Sequence, residues 1–166
     1  SLHDALPICD IENAKNGILV NTEEKITQEG LLAIRNKIFK KGTLLFAMYG
    51  SVGKTAFAGR DMATNQAILG INPKNTGVID LRFLNYYLKK TKKELIHGAR
   101  GVALKNLSAT IVKDLKIPIP SYSDQQKIAA ILDAADAVRQ KNRLILQKYD
   151  ELAQSVFMDM FGDTHS

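Results

Sequence analysis

The sequence predicts an α+β protein in which a small mixed α/β domain precedes a long C-terminal helix that forms a coiled coil. Short apolar runs separated by Gly-bearing turns indicate strands in the first half of the chain. No Gly or Pro interrupts residues 121–161, and apolar residues recur there in steps of four and three. This spacing is typical of a helix packed along another helix. We therefore divide the chain into a domain at 9–120 and a helix at 121–162.

The first elements follow from short local patterns. Residues 1–8 fit none of these patterns, and we exclude them from the domain. Residues 17–20 predict a short strand, and residues 26–39 a brief helical turn or loop. Two apolar runs within residues 44–58 flank a Gly-bearing loop and predict a β-hairpin. Residues 65–71 predict a further strand.

Helical periodicity begins at residues 80–91, where Leu81, Leu84 and Leu88 share one face. Cations near a helix C-terminus complement the helix dipole. Four lysines at the predicted end of this helix fit that rule: Lys89, Lys90, Lys92 and Lys93.

The second half of the domain is predicted to end in a short helix and a strand. A Gly-bearing loop at 97–106 precedes the helix at 108–115 and the strand at 116–120. Ser123 and Gln126 have the spacing of a capping box, which predicts the start of the long helix.

The long helix carries a predicted packing seam and spans roughly 55 Å at about 1.5 Å per residue. Such a length predicts a spacer. Asn142 is polar at a core position, and we expect it to select the pairing register. The seam consists of Ile131, Ala135, Val138, Asn142, Ile145, Tyr149, Leu152 and Val156.

Charge is distributed unevenly along the chain. Residues 31–116 contain 16 Lys and Arg against four acidic residues, a net charge of +12. Residues 1–30 have a net charge of −4, and residues from 121 onward have −2. This asymmetry indicates a body that faces a polyanion, most often nucleic acid. The alternative is a solvated Lys-rich surface.

Composition excludes several classes of site. With Cys9 as the single cysteine, the chain forms neither an internal disulfide nor a Cys-based zinc site. The three histidines lack ligand-like spacing, so we expect no metal and no cofactor. No apolar run approaches the roughly 18 residues of a membrane span, and the first residues lack the pattern of a signal peptide. We expect a cytoplasmic protein.

The segment GSVGKT partly matches a nucleotide-binding P-loop. That motif needs a glycine five residues before its Gly-Lys glycine, and here this position is Met48, inside an apolar run. The following AFAGRD is short and interrupted by Gly, so no helix N-terminus is available for a phosphate. The sequence favours a hairpin without a nucleotide.

Four segments in order carry a resemblance to a known family: GTLLFAMYGSVGKTAFAG, ATNQAILGINP, DLRFLNYYLKK and GVALKNLSATIVKDLKIPIPSYSDQQKIAAILDAAD. They resemble one target recognition domain and spacer helix of the specificity subunit of type I restriction-modification systems. The resemblance covers about residues 30–162, and Pro-x-x-x-x-Gln-x-x-Ile-Ala-x-x-Leu at 120–132 is its most specific part. The family's usual Trp-bearing turn and first strands are absent before about residue 10, which predicts an N-terminally incomplete domain.

This resemblance implies a non-catalytic subunit that recognises one half of a bipartite target on double-stranded DNA. The spacer would pair antiparallel with a second spacer or a second copy, and the assembly would recruit methyltransferase and restriction subunits. The sequence contains no Asp-Pro-Pro-Tyr or Asn-Pro-Pro-Tyr methyltransferase motif. The alternative is a coiled-coil interaction protein whose basic head binds an acidic partner.

Candidate DNA contacts are loop residues whose side chains suit base edges or phosphates. Arg100 is the preferred base contact, because Gly98 and Gly101 beside it allow close backbone approach. Asn65 and Gln66 have the alternative of bonding neighbouring loops. The candidates are Ser51, Lys54, Arg60, Asn65, Gln66, Arg100, Lys105 and Asn106.

Overall fold

The computed structural model describes residues 6–7, 11, 14, 17–20, 22, 25–33, 38–98, 107 and 109–162. The chain forms two compact units, residues 1–126 and residues 127–166. The strands are β1 (Leu6–Pro7), β2 (Ile18–Leu19), β3 (Lys25–Ile26), β4 (Ile38–Phe39), β5 (Leu44–Ala47), β6 (Thr55–Ala58), β7 (Met62–Ala63) and β8 (Ile68–Ile71). The helices are α1 (Gln28–Ala33), α2 (Leu81–Gly98), α3 (Ala109–Lys113) and α4 (Tyr122–Phe161).

A four-stranded sheet in the order β2-β6-β5-β8 is the centre of the first unit. Strand β5 runs antiparallel to β6 and β8, with Leu45 opposite Ala56 on one side and Gly70 on the other. Strand β2 extends the sheet as the parallel neighbour of β6. All four residues of β5 are buried, as expected for an apolar run with a strand on each side.

The two faces of the sheet bury separate apolar clusters. Leu44 and Phe46 pack with Leu84 and Leu88 of α2, so a helical layer covers one face. Leu45, at alternate register, packs with side chains of β2, β6, β7 and β8 on the other face. Two short antiparallel ladders, β4-β7 and β1-β3, complete the unit. This arrangement confirms the predicted α+β class.

Gly70 shows how closely the second layer approaches the sheet. A Cβ atom at Gly70 would lie 2.5 Å from the Phe39 ring, so any other residue there displaces β4 or the ring. The close packing of Phe39 on Gly70 is one reason why the short strand β4 stays on the sheet.

The structure confirms the predicted hairpin, since β5 and β6 pair across a turn containing Gly50 and Gly53, both with positive φ. Strands over parts of residues 17–20 and 65–71 also form, as β2 and β8. The exclusion of residues 1–8 from the domain needs correction, because strand β1 lies within them and pairs with β3.

The predicted end of the second helix is wrong. Helix α2 begins after Asp80, whose Oδ1 accepts the N–H groups of Arg82 and Phe83 at 2.8 and 3.2 Å, and it continues to Gly98. Thr91 does not end it, because its hydroxyl donates to the Tyr87 carbonyl at 3.0 Å and stays satisfied inside the helix. The four lysines therefore lie within α2, and the helix dipole does not explain them.

Two predictions at the start of the long helix also need correction. Residues 116–120 form no strand in the described sheets, and Pro118 and Pro120 supply no N–H donors to a ladder. The helix is capped by Ser121 rather than Ser123. Ser121 Oγ accepts the Asp124 N–H at 3.2 Å and donates to Asp124 Oδ2 at 2.6 Å.

The long helix itself is confirmed. Helix α4 has 40 residues, so it spans about 60 Å. Its seam residues are exposed along the whole length from residue 131 to residue 156. No helix in the described part of the chain is long and apolar enough to cross a membrane.

Candidate nucleic-acid interface

The sheet order brings two predicted contact loops to the same place. Because β5 is antiparallel to both neighbours, the β5–β6 loop at 48–54 and the β7–β8 loop at 64–67 lie at one end of the sheet. The Met48 N–H donates to the Ala67 carbonyl at 2.8 Å and joins the two loops directly. We call this region, residues 48–54 and 64–67 with the adjoining part of α2, the loop end.

Backbone hydrogen bonds fix the hairpin loop. The Gly53 N–H donates to the Ala47 carbonyl and the Lys54 N–H to the Ser51 carbonyl, both at 2.9 Å. These amides are therefore occupied within the turn, and Thr55 after them begins a strand rather than a helix. The segment GSVGKT has hairpin geometry, which differs from the amide cradle and following helix of a P-loop.

In the second loop, Asn65 and Gln66 have different roles. The Asn65 side-chain oxygen accepts the Ala67 N–H at 2.9 Å, so it shapes its own loop, whereas the alternative interpretation expected a bond to a neighbouring loop. Its amide nitrogen is the part of the side chain suited to a base. Gln66 is exposed, and its amide suits a base edge.

Arg60 lies at the opposite end of the sheet. It lies two residues after the end of β6, where the Gly59 N–H donates to the Leu19 carbonyl and the Gly42 N–H to the Ala58 carbonyl, both at 2.7 Å. The structure therefore brings Ser51, Lys54, Asn65 and Gln66 together and separates Arg60 from them.

An ion pair accompanies Arg60 at that opposite end. Lys40 Nζ lies 2.7 Å from Asp61 Oδ2, and the Lys41 N–H donates to Asp61 Oδ1 at 3.0 Å. The hydrogen bond from Lys40, followed by that from Lys41, lowers the pKa of Asp61 below its ordinary value. The opposite end thus carries a carboxylate among its cations.

Arg100, Lys105 and Asn106 lie outside the described residues, so they remain sequence predictions. Leu107, which follows them, is buried, and its N–H donates to the Met48 carbonyl at 2.9 Å. The chain therefore reaches the loop end one residue after Asn106.

Helix α2 adds cations to the loop end that were not among the candidate contacts. Thr55 Oγ1 donates to Asn85 Oδ1 at 2.6 Å, which holds the helix against the start of β6. Two turns later the Lys92 side chain covers Gly53, where an added Cβ would lie 2.8 Å from Lys92 Cγ. Lys89, on the same helical face, has its ammonium group 5.2 Å from the centre of the Tyr86 ring.

The spacing of residues 85, 89 and 92 was the signal that could have identified this face, because positions three and four apart are neighbours on a helix. Lys54, Lys89 and Lys92 bring three cationic side chains to the loop end. Arranged around polar loop side chains, these cations suit a phosphate backbone.

Sequence reasoning also missed the role of Gln125, although Gln125 is the Gln of the motif at 120–132. It is fully buried, and its Oε1 accepts the Asp80 N–H at 2.9 Å. Its Nε2 donates to the Val78 and Pro120 carbonyls, each at 3.0 Å. Gln125 thereby fastens the first turn of α4 to the segment that starts α2.

The described residues hold no cluster of His, Cys, Asp and Glu of the kind that binds a metal. What they do hold is a small α+β domain whose loop end carries three lysines, followed in sequence by a 40-residue helix with an exposed apolar seam. Cations around polar loops suit a phosphate backbone, and an exposed apolar seam suits packing along another helix.

Comparison with known proteins gives the family. The family model described as "Type I restriction modification DNA specificity domain" matches residues 5–153, and the chain belongs to this family. The resemblance that the sequence motifs indicated is thereby confirmed.

Named relatives are specificity subunits. The type I restriction enzyme MjaIX specificity subunit of Methanocaldococcus jannaschii is 31% identical over 157 residues, which cover 93% of this chain and 36% of the relative. The EcoBI specificity subunit of Escherichia coli is 23% identical over 166 residues, covering 95% of this chain and 34% of the relative. The chain thus spans about a third of the length of these relatives.

Solved structures share the fold. A chain from a study of complex assembly and conformational transition of the type I R-M system matches with a TM-score of 0.68 and 20% identity, covering 90% of this chain and 35% of that chain. The HsdS subunit from Thermoanaerobacter tengcongensis matches with a TM-score of 0.60 and 18% identity, covering 96% of this chain and 38% of that chain.

Proposed function

We propose that this protein acts as the sequence-specific DNA-binding specificity subunit of a type I restriction-modification complex. It recognises one half of a bipartite target and holds the spacing to the other half through α4. The observation that carries this proposal is the meeting of two polar loops and the basic face of α2 at one end of the sheet, in a chain of the specificity-domain family.

The two parts of the chain have different tasks in this proposal. Residues 9–120 form the target recognition domain, and residues 121–162 form the spacer. Gln66, Asn65, Arg100 and Asn106 are the proposed base contacts, because Arg, Asn and Gln discriminate base edges. The proposed phosphate contacts are Ser51, Lys54, Lys89, Lys92 and Lys105. Arg60 is left outside this set because it lies at the other end of the sheet.

The proposed partners follow from the same role. The recognition domain binds double-stranded DNA, and the assembly includes methyltransferase and restriction subunits that carry the catalytic sites. The spacer pairs with a second spacer helix. The chain itself is non-catalytic and needs no cofactor, and its work on DNA takes place in the cytoplasm.

A coiled-coil interaction protein with a basic head that binds an acidic partner is the second candidate. The family match gives it no support. This candidate predicts that the acidic partner binds without competition from duplex DNA and that binding shows no sequence preference. Titrations with duplexes of different sequence therefore separate the two functions.

The test begins with selection of a preferred duplex from a randomised library, followed by titrations of preferred and scrambled duplexes at several salt concentrations. Lys54→Gln combined with Lys92→Gln should lower the affinity for the preferred duplex and for the scrambled duplex by a similar factor. The slope of log affinity against log salt should become shallower by about one unit for each phosphate that the protein no longer neutralises. Arg60→Gln, at the opposite end of the sheet, is the matched control and should change both affinities little.

Base recognition is tested with Arg100→Ala. A bidentate arginine contact to guanine is worth roughly 1–3 kcal/mol of discrimination, so this variant should lose preference at one or two positions and keep most non-specific binding. If the affinity of the wild type for duplex DNA depends on neither the salt concentration nor the DNA sequence, the proposed function is contradicted. If Arg100→Ala keeps the wild-type ratio of affinities for preferred and scrambled duplexes, we would assign the base contact to the loop around Ser51 and Lys54 instead.

A further inference from the structure

Tyr49 is a large aromatic side chain at the loop end that none of the proposed DNA contacts uses. It is 40% exposed, and no other large apolar side chain in the described part of the loop end is exposed. Tyr49 belongs to neither of the two apolar clusters that the structure describes on the faces of the sheet. The ring therefore contributes to the surface of the loop end rather than to the core.

The backbone on both sides of Tyr49 is fixed. The Met48 N–H donates to the Ala67 carbonyl at 2.8 Å, and the Met48 carbonyl accepts the Leu107 N–H at 2.9 Å. On the other side, Gly50 turns the chain with a φ of 67°, a value that favours glycine. A tyrosine side chain has two rotatable χ angles, so a ring on such a backbone loses little conformational freedom when it binds a partner.

The neighbours of Tyr49 leave one feature of a DNA groove without a contact. Lys54 and Lys92 suit phosphates, and Asn65 and Gln66 suit the donor and acceptor groups of base edges. The 5-methyl group of thymine marks that base in the major groove and calls for an apolar contact instead. In the described part of the loop end, Tyr49 is the exposed side chain that offers a large apolar surface.

Two other DNA contacts of a tyrosine fit this position less well. Side chains that insert between base pairs project into the duplex, whereas the larger part of the Tyr49 surface is covered by the protein. A hydroxyl group can also bond a phosphate. The lysines of the loop end make that contact more strongly, because hydrogen bonds from a charged donor are the stronger ones.

We propose that Tyr49 is a specificity-determining residue whose ring contacts the 5-methyl group of a thymine in the DNA half-site. This inference rests on the proposed function, which supplies the half-site. It predicts that the preferred half-site contains an A·T pair and that the thymine methyl group contributes to the affinity.

The test replaces each thymine of the selected half-site in turn with deoxyuridine, which pairs in the same way but lacks the 5-methyl group. At the position that Tyr49 contacts, the affinity of the wild type should fall about fourfold, the factor that corresponds to exposing one buried carbon group of this size. Deoxyuridine in the flanking DNA, outside the half-site, should leave the affinity unchanged.

Two substitutions at Tyr49 separate the ring from the hydroxyl group. Tyr49→Ala should bind the thymine and deoxyuridine duplexes equally, because the ring that contacts the methyl group is removed. Tyr49→Phe keeps the ring and should keep the fourfold ratio. Each ratio compares two duplexes with the same protein, so a change in the folded fraction of a variant cancels.

Two controls bracket this result. Tyr122→Ala makes the same chemical change at a tyrosine that is 37% exposed and lies at the start of α4, and it should keep the fourfold ratio. Lys54→Gln with Lys92→Gln should lower the affinity for both duplexes and also keep the ratio, because phosphate contacts carry no base information.

The possible failures of the two proposals differ. A half-site of G·C pairs alone, or a wild type that does not distinguish deoxyuridine from thymine at any position, would overturn the inference and leave the proposed function intact. The same holds for a fourfold ratio that survives in Tyr49→Ala or is lost in Tyr49→Phe. Binding without any sequence preference would instead contradict the proposed function, and the inference with it.

Discussion

The sheet of the first unit and the helix of the second show opposite uses of apolar residues. Strand β5 has every side chain buried between two layers, whereas all eight seam residues of α4 are exposed. The first unit therefore carries its own core. The apolar seam residues of α4 can stabilise the helix only after another surface covers them, because free energy comes from apolar area removed from water. The following substitutions test this difference.

The largest expected effect is in the sheet. Phe46 is fully buried in the cluster between the sheet and α2, so Phe46→Ala should lower the free energy of unfolding by about 3–5 kcal/mol. Leu152→Ala is the counterpart on α4, where the side chain is 59% exposed, and should cost less than about 1 kcal/mol in the isolated chain. Urea unfolding followed by hydrogen exchange, which reports the two units separately, measures both. Equal losses would show that α4 is already packed.

Gln125 tests the buried polar connection at the start of α4. Gln125→Leu leaves the buried Asp80 N–H and the Val78 and Pro120 carbonyls without this partner, which should cost about 2–4 kcal/mol. Gln126→Leu, at the neighbouring exposed position, is the control and should stay within about 0.5 kcal/mol of the wild type. If both variants unfold at the same urea concentration, the three hydrogen bonds carry no net stability.

Asn142 tests the predicted seam. Asn142→Leu replaces the polar seam residue with an apolar one, so the paired helix should become more stable by about 1 kcal/mol or more and should populate additional oligomers. Thermal unfolding and sedimentation velocity measure the two effects. One unchanged species with no gain in stability would mean that the seam is placed wrongly.

The smallest expected effect is the pH dependence of the exposed Lys40–Asp61 pair. Because the pKa of Asp61 is lowered in the folded chain, this carboxylate contributes stability at pH values above its ordinary pKa of 3.8. The contribution is lost as the pH falls through the lower folded-state value. Asp61→Asn should therefore lower the midpoint of urea unfolding slightly at pH values well above 3.8 and converge with the wild type in strong acid. A difference that grows on acidification would contradict the assigned direction.

Local patterns were enough to predict the elements whose cause is local. Gly50 and Gly53 supply the positive φ values of the hairpin turn, and uninterrupted helix formers run through α4. The role of Gln125 was missed because its partner Asp80 lies 45 positions away. The end of α2 was mispredicted for a local reason, since the Thr91 hydroxyl bonds the Tyr87 carbonyl four residues earlier and the helix continues.

The candidate interface shows the same division. Residue chemistry identified Lys54, Asn65 and Gln66 as suitable contacts, but not that their loops meet. Their meeting depends on β8 pairing with β5, and this strand order is absent from any local pattern. For the same reason, residue chemistry did not distinguish Arg60 from the other candidate contacts, although the strand order places it at the end of the sheet opposite the loop end.

The packing of β5 has a consequence for how target preference can change over time. Both loops of the interface leave strands whose side chains are locked in two cores, while Gln66 itself belongs to neither core. Mutations at such a position leave the folding free energy nearly untouched. Under the proposed function, the preferred DNA target can therefore change by successive substitutions at this position, and the protein remains folded after each of them.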